Sequence, residues 1–364
     1  MILDRFKVPK GDEVRVSEDA LRTIVTAIFE KVGVPPEDAA IGADVLVMTD
    51  LRAVETHGVS NMLRVYVQGY RDGSINATPN LCVERESPTT ATLDADRGLG
   101  IILGPKAMRM AIDKAKTSGI GIVTMHSSGH LGAVGHHAML AAQEDMVGVC
   151  LTASAGLSVA PTFAAQPMFS TNPLSIAAPA GKEAPVYFDI ATSAIAGNKI
   201  RLAMRMQSPL LPNWVSDKEG TPLSEDVLVQ DRADYYQLPL GGTREQGSHK
   251  GYGFAMMVEL LSTLLSGSSP IMLERGSGSK SHFAAYNISA FTDVEQFKQT
   301  MDEMLETLRT TDPAPDQERV LYPGLSEHEE LQERRANGIP LHKEVIEWFS
   351  QMTTELELPA LSTL

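Results

Sequence analysis

Histidine is concentrated in one short stretch of the sequence. Of the nine histidines, four lie near the start of residues 125–172, namely His126, His130, His136 and His137. The apolar residues 119–125 before them predict a buried strand, and the residues after the turn predict a helix. Gly129 and Gly132 let a ligand or the backbone approach closely, and the new helix offers free N–H groups to an anion. A strand, turn and helix of this kind are typical of an active site built around a histidine.

Two familiar kinds of site fit this stretch poorly. His126 and His130 are four residues apart, which on a helix would place two metal ligands on one face. Gly129 and the preceding strand argue against a helix there, and no H-E-x-x-H motif is present. We therefore expect no metal. A metal-dependent hydrolase that uses His126, His130 and His136 is kept as the alternative from another class of protein.

A glycine-rich segment resembles a dinucleotide fingerprint without matching it. Gly98-Leu-Gly100-Ile-Ile-Leu-Gly104 reads G-x-G-x-x-x-G, which is one residue longer than the Rossmann pattern. No strand with an acidic end follows about 20 residues later to bind a ribose. We expect a tight turn here, followed by a helix that begins at Pro105.

Three further residues have both a structural and a functional interpretation. His57 lies at a break between two predicted helices, where it is either a satisfied polar group or part of a site. Asp189 ends a predicted strand and could be a helix cap. Lys250 begins an apolar helix, residues 250–267, that we expect to be buried. Because a cation is poorly placed at a helix N-terminus, Lys250 suggests an anionic ligand such as a phosphate or carboxylate.

Composition limits the class of protein. The chain of 364 residues is 43% hydrophobic and 21% charged, as soluble globular proteins are. Its formal net charge of −15 argues against nucleic acid and membrane partners but allows a local cationic pocket for a small acid. Cys82 and Cys150 are expected to be buried free thiols. Without an apolar signal or membrane span, we expect a cytoplasmic protein.

The order of predicted elements indicates the fold class. Helices are predicted up to about residue 76, strands alternate with helices through the middle of the chain, and helices return in the tail. This order favours an α/β or α+β fold with helical ends. We expect residues 1–80 with 313–364 to form a helical domain. Residues 81–125 with 280–312, together with residues 126–279, should form a central α/β region.

Seven segments, taken in order, resemble one family. They read DLRAVETHGV, SSGHLGA, STNPLSIAAPA, FDIATSAIAGNKI, HKGYGFAMMVELLSTLLSG, HFAAYNISAF and YPG. They are similar to the malate/L-lactate dehydrogenase family with the non-Rossmann fold, across roughly residues 13–350. That group also holds ureidoglycolate dehydrogenase, sulfolactate dehydrogenase, diketogulonate reductase and Δ1-piperideine-2-carboxylate reductase.

The resemblance implies a fold, an activity and a partner. It implies a mixed, largely antiparallel sheet that binds the dinucleotide in a fold of its own, with the central region as the cofactor-binding part. It implies hydride transfer between NAD or NADP and a small 2-oxo or 2-hydroxy acid. It also implies a homodimer with the active site near the subunit interface, so the helical domain would serve dimerisation and the substrate side.

The resemblance also implies residue roles. By position, His130 is the proton donor and acceptor and His57 lies on the substrate side. The implied cofactor-binding residues are Ser154, Asp189, Ile190, Ala191 and Lys250. A histidine with a pKa near 6.5 suits proton transfer in both directions around neutral pH.

Three positions depart from the family pattern. Thr56 replaces a serine and keeps a hydroxyl, Asn61 replaces the arginine that would bind the substrate carboxylate, and the YPGE motif ends in Leu325. Arg64 lies one helical turn beyond Asn61 and could substitute. The substrate-binding residues are thus expected to be Thr56, Asn61 and Arg64. A cyclic imino acid reductase and a catalytically silent binding protein remain as alternatives.

Overall fold

The computed structural model describes residues 7–273 and 278–364. Residues 1–6 of the predicted helical domain and residues 274–277 of the predicted central region lie outside the described residues. The α-helices are α1 (Glu18–Lys31), α2 (Pro36–Leu51), α3 (Val59–Arg71), α4 (Gly100–Ser118), α5 (Val134–Ala142), α6 (Gly197–Arg205), α7 (Ser248–Val258), α8 (Val294–Arg309), α9 (Leu325–Asn337) and α10 (Lys343–Glu355).

The strands alternate with these helices. They are β1 (Glu13–Val16), β2 (Cys82–Glu86), β3 (Thr90–Asp94), β4 (Ile120–Ser128), β5 (Met146–Ala153), β6 (Leu174–Ala178), β7 (Val186–Ile190), β8 (Val215–Ser216), β9 (Tyr236–Gln237), β10 (Ser279–Asn287) and β11 (Ile339–His342). The predicted mixed α/β class with helical ends is therefore confirmed.

One seven-stranded sheet forms the centre, in the order β2-β3-β4-β10-β5-β6-β7. Only β3 and β4 run parallel among its neighbouring strands, and the other pairs are antiparallel. Because β10 is antiparallel to both β4 and β5, those two strands point the same way, and two further reversals give β7 this direction too. The carboxyl ends of β4, β5 and β7 consequently meet at one edge of the sheet. His130, Ser154 and Asp189 lie at those ends.

The two ends of the chain meet on the helical side. β1 pairs with β11, and a single buried cluster joins side chains of α1 to α4 with Leu331, Val345 and Phe349 near the C-terminus. The same cluster continues into the sheet through Val123 and Phe283. Burial of this apolar surface holds the helical ends against the sheet that carries the histidine turn.

Local sequence explains where helices begin. The Ser17 hydroxyl accepts a hydrogen bond from the Ala20 N–H at 3.2 Å, so it caps α1. In α4 the prediction was wrong, because the helix begins at Gly100 and Pro105 lies inside it. A Cβ at Gly100 would lie 2.6 Å from the Gly129 carbonyl oxygen and 2.7 Å from that of His130. The glycine therefore lets α4 pack against the histidine turn, which is its role in place of a nucleotide loop.

Two predictions of burial were also wrong. The helix from Lys250 onward, α7 with a π-helical turn at Glu259–Leu264, is exposed on one apolar side. Cys82 is an exposed free thiol on the outermost strand β2, whereas Cys150 is buried as expected. Within residues 7–273 and 278–364, no helix is both long enough and apolar enough to cross a membrane.

Candidate functional site

A cavity of about 1210 Å³ lies at the sheet edge where β4, β5 and β7 end. It is large by the standard of pockets for drug-sized ligands, which measure roughly 300–1,000 Å³. Most of the predicted site residues lie in its wall, namely Thr56, His57, His130, Ser154, Asp189, Ile190 and Ala191. The fold thus brings together residues that are up to 135 positions apart in the chain, from Thr56 to Ala191.

His130 is held by two donors at one ring nitrogen. The Tyr66 hydroxyl lies 2.7 Å from Nδ1, and the Gly132 N–H donates to the same atom at 3.3 Å. A backbone N–H can only donate, so Nδ1 must accept and the proton of the neutral ring is on Nε2. The ring is therefore prepared to donate a hydrogen bond from Nε2.

His57 lies beside His130. The two rings are stacked with centroids 5.6 Å apart and an interplanar angle of 14°. The Thr56 hydroxyl lies 2.9 Å from Nδ1 of His57, so the predicted hydroxyl is in contact with the predicted histidine.

Both imidazoles are neutral in this cavity. Burial lowers the pKa of His130 to about 3, and the charges of His57 and Arg201 contribute to the shift. Burial also lowers the pKa of His57 to about 4, with a contribution from the charge of Lys199. These values differ from the 6.5 of the sequence-based expectation because a cationic ring is poorly solvated here and has positive neighbours. A bound anion would offset the neighbouring positive charges and so raise the pKa of both His130 and His57.

The loop that carries Thr56 and His57 is fixed from behind. Oδ2 of Asp50 accepts the Val59 N–H at the start of α3 at 2.7 Å, and a Cβ at Gly58 would overlap the same carboxyl group. Arg334 of α9 donates to the Asp50 carbonyl oxygen at 2.7 Å and to Glu55 Oε1 at 2.6 Å. All these polar groups are buried. Helix α9 therefore helps to hold the loop that carries His57.

Asp189 closes the opposite wall. Its Oδ2 accepts the Gly135 N–H of α5 at 2.7 Å, while Tyr187 of the same strand lies beneath the Arg52 guanidinium at 5.0 Å. The pKa of Asp189 is raised to about 7. Burial is the main cause, the Gly135 hydrogen bond lowers the pKa in part, and the charge of Glu327 raises it. The strand end β7 is thus anchored to the helix that follows the histidine turn.

Three predicted residues lie outside the cavity wall. Asn61 is buried in α3, and its Nδ2 has no hydrogen-bond partner among the described residues. Arg64 pairs with Glu344 at 3.3 Å and lies 5.7 Å from the Trp348 ring centroid. Lys250 is exposed in the first turn of α7. Their roles stay predictions.

The histidines of the metal alternative do not converge. Nε2 of His126 is 2.9 Å from Glu84, His136 approaches only Asp44 at 4.0 Å, and His130 binds Tyr66. In the described parts of the chain, no group of three or more histidine, cysteine or acidic side chains could hold a metal ion. The geometry therefore gives the hydrolase hypothesis no ligand set.

Several functional side chains were missed from the sequence. Tyr66 has no signal in the sequence, because the periodicity of a helix face carries no information about its hydroxyl. The cavity is also lined by Lys199 and Arg201 of α6 and by Arg232, which lies between β8 and β9. The net charge of the chain allowed a local cationic pocket for a small acid, but it did not indicate which residues would form that pocket.

The buried Asp50 gives a pH-dependent prediction. Burial, and then the charge of Glu55, raise the pKa of Asp50 to about 8, against about 3.9 in an unfolded chain. Between these values the folded form holds a proton that the unfolded form has lost, so this group makes stability fall as pH rises. Asp50→Asn cannot ionise and keeps an acceptor for the Val59 N–H. Its Tm relative to wild type should therefore rise by at least about 2 °C between pH 5 and pH 8.5.

The control is Asp113→Asn, an exposed change on α4, which should give a Tm difference that is the same at both pH values. Thermal melts at four or five pH values decide the matter. A Tm difference for Asp50→Asn that stayed constant, or declined toward alkaline pH, would contradict the assignment of a protonated Asp50.

Comparison with known proteins agrees with this geometry. Residues 16–350 match the family described as malate/L-lactate dehydrogenase. A malate dehydrogenase of Pyrococcus abyssi is 37% identical over 356 residues, covering 96% of both chains. An L-sulfolactate dehydrogenase of Methanocaldococcus jannaschii is 32% identical over 344 residues, covering 93% of this chain and 96% of the other.

The fold has solved counterparts as well. The structure of malate dehydrogenase from Pyrococcus horikoshii OT3 superposes with a TM-score of 0.86 at 34% identity, covering 98% of this chain and 99% of the other. The resemblance inferred from seven sequence segments is thereby confirmed. The chain belongs to the malate/L-lactate dehydrogenase family and is a 2-hydroxy acid dehydrogenase.

Proposed function

We propose that this enzyme moves a hydride between NAD or NADP and a small 2-oxo or 2-hydroxy acid, with His130 as the proton donor and acceptor. The observation that carries the proposal is the pair of stacked imidazoles, His130 and His57, in the wall of the cavity that also holds Asp189. A bound reduced nicotinamide supplies the hydride in this chemistry, and the protein must supply the proton and the alignment.

His130 supplies the proton from Nε2. The bound acid raises the pKa of the ring, which takes up a second proton at Nδ1, where the Tyr66 hydroxyl oxygen can accept a hydrogen bond from it. The resulting imidazolium passes its Nε2–H to the developing negative charge on the substrate oxygen, and a neutral ring with a free Nε2 remains. In the reverse reaction this Nε2 accepts the proton of the substrate hydroxyl. His57, held by Thr56, orients the substrate oxygen from the neighbouring ring. A positioned acid and base of this kind contributes about 10²–10⁴-fold to the rate.

The cofactor side of the cavity is assigned to the strand ends. Residues 154–158 after β5 form a loop of small residues, and Gly156 in it has open space where a side chain would be. Asp189, Ile190 and Ala191 form the facing wall. The dimensions of the cavity and this small-residue loop suit a dinucleotide beside a small acid. Lys250 would meet the cofactor from α7, and its exposed position allows that contact.

The choice of substrate and cofactor is tested by one steady-state screen. Malate, lactate, sulfolactate, ureidoglycolate and piperideine-2-carboxylate are assayed with both NAD and NADP couples. Turnover of a 2-hydroxy acid supports the proposal, and exclusive turnover of the cyclic imine favours the reductase alternative. Quenching of nicotinamide fluorescence without turnover of any acid would instead indicate the silent binding protein.

We also propose a homodimer built on the exposed side of α7 and its π-helical turn, which lie in the central region and not in the helical domain that the family resemblance implied for dimerisation. Large apolar side chains on this side are 37–58% exposed, namely Phe254, Met256, Met257, Leu260, Leu264 and Leu265. A contiguous apolar surface of this kind marks an interface in a protein with a high net charge.

The cytoplasm is the proposed compartment, since two unpaired thiols, one of them exposed, suit a reducing environment.

The role of His130 predicts a large kinetic effect. His130→Ala should reduce kcat by about 10²–10⁴-fold while the Kd of the cofactor stays near the wild-type value, because the ring donates a proton and does not hold the dinucleotide. His126→Ala, at the nearby Glu84 pair outside the cavity, is the matched control and should keep normal turnover. If His130→Ala retained kcat within about threefold, the proton donor would be another group, with His57 the next to test.

Tyr66 is expected to position His130. Tyr66→Phe removes one of two hydrogen bonds to Nδ1, worth about 1 kcal/mol, so kcat should fall about fivefold with little change in KM. For oxidation of a 2-hydroxy acid, where His130 acts as the base, the acidic limb of the kcat/KM profile should shift to higher pH, because in the free enzyme Tyr66 donates to the neutral ring. Tyr70→Phe on the same helix, where the ring packs against Phe29, is the control. An unchanged pH profile together with normal kcat would remove this role.

The dimer surface can be tested by charge insertion. Leu260→Arg combined with Leu264→Arg places two cations within the apolar surface, and the protein should elute as a monomer at micromolar concentration. Leu308→Arg on α8, where the leucine is 43% exposed, controls for the added charge. Light scattering gives the mass. A double variant with the same mass as the wild type would place any interface elsewhere.

A further inference from the structure

Two arginines in the cavity have no carboxylate partner among residues 7–273 and 278–364, although the chain is rich in acids. The chain has 46 acidic and 31 basic residues, and arginines elsewhere pair readily. On α6 itself, Arg205 pairs with Glu344 at 3.4 Å. One turn earlier on that helix, Arg201 makes no ion pair with any described residue, and Arg232 makes none either. Both line the cavity that holds His57 and His130.

Arg232 lies at the start of α6. A Cβ added to Gly197 would meet Nη2 of Arg232 at 2.6 Å and Cζ at 3.0 Å, so the glycine leaves space for the guanidinium. Arg232 begins a short 3₁₀ turn, Arg232–Asp234, between β8 and β9, and its side chain is half-buried. The pKa of Arg232 is lowered, first by burial and then by the charge of Arg201. The charge of Arg201 therefore acts on Arg232, and both side chains line the same cavity.

Arg201 connects this pair to the reacting centre. Its positive charge contributes to the lowered pKa of His130 as well as to that of Arg232. Arg201 therefore lies within electrostatic reach of both. Holding two like charges together, one of them half-buried, costs free energy that an anion between them would recover.

We propose that Arg201 and Arg232 form a specificity-determining subsite for a second anionic group of the substrate, separate from the carboxylate beside the reacting carbon. This inference rests on the proposed function, because it names a further part of the substrate that the same cavity binds. Guanidinium groups suit this task since they bind carboxylate or sulfonate oxygens through two parallel N–H donors. The enzyme should therefore prefer acids with two anionic groups over acids with one.

A matched pair of substrates isolates the second charge. Oxaloacetate and 2-oxobutanoate have the same four-carbon chain and 2-oxo acid group, and only oxaloacetate has a second carboxylate. Arg201→Ala and Arg232→Ala should each lower kcat/KM for oxaloacetate by about 10- to 100-fold, as expected for a lost hydrogen bond to a charged group, and change that for 2-oxobutanoate by less than about threefold. Arg201→Lys, which keeps the charge, should lose less. Arg85→Ala on the exposed strand β2 is the control.

A binding measurement without turnover accompanies the kinetics. Malate should raise the Tm of the wild-type protein more than 2-hydroxybutanoate does, and this difference should shrink in both arginine variants, since a ligand stabilises a protein in proportion to its affinity. If the protein reduced no 2-oxo acid, the proposed function would be wrong. The Tm comparison between malate and 2-hydroxybutanoate would still test whether the two arginines bind a second anionic group.

Three results would overturn the subsite. The first is an equal loss for both oxo acids, which would assign the arginines a general structural role. The second is an unchanged preference for oxaloacetate. The third is a changed NADPH-to-NADH ratio of kcat/KM with 2-oxobutanoate, without a changed oxo acid preference, which would assign the arginines to a phosphate of the cofactor.

Discussion

The hydrogen bond between Tyr66 and His130 joins the two parts of the molecule that form the site. Tyr66 lies on α3 in the helical part, and His130 follows strand β4 of the seven-stranded sheet. The bond also selects the ring tautomer, because the Gly132 N–H donates to the same nitrogen. If α3 moved relative to the sheet, His130 would lose both its orientation and its separation from His57. The chemistry therefore depends on how firmly the helical part is packed.

That packing is achieved with buried polar groups as well as apolar ones. Asp50 holds the first turn of α3, and Arg334 of helix α9 bridges Asp50 and Glu55. Buried groups of this kind are costly unless they are satisfied, and they enforce one arrangement of the chain. The cavity wall in front of them contains neutral histidines, and two of its arginines, Arg201 and Arg232, make no ion pair with a described residue. An entering anion thus improves the solvation of several groups at once.

Much of this architecture could be predicted from the sequence. The strand before His130 and the helix after the turn followed from periodicity, because that depends on neighbouring residues only. The positions of His57, Thr56, His130, Ser154 and Asp189 in one cavity wall agree with what the family resemblance implied. Their catalytic and binding roles stay proposals.

Other features depend on contacts between distant residues. No local pattern indicates that Arg64 pairs with Glu344, 280 positions away, or that Arg232 reaches Gly197. The glycines of segment 98–104 predict a turn, because glycine is common where the backbone changes direction. In the structure, Gly100 lies in α4 and allows close packing against the histidine turn. The apolar residues of α7 indicated burial, and the sequence could not tell a core from a surface exposed in the single chain.

The central position of β10 has a consequence for how the chain acquires its structure. β4 and β5 do not pair with each other, and the strand between them is made more than 120 residues later. On the ribosome, the strands that carry His130 and Ser154 must wait for residues 279–287 before their inner edges are covered. Such distant pairing is slow and leaves strand edges exposed to aggregation in the meantime. A nascent chain that stalls before this strand would therefore be a natural client for chaperones.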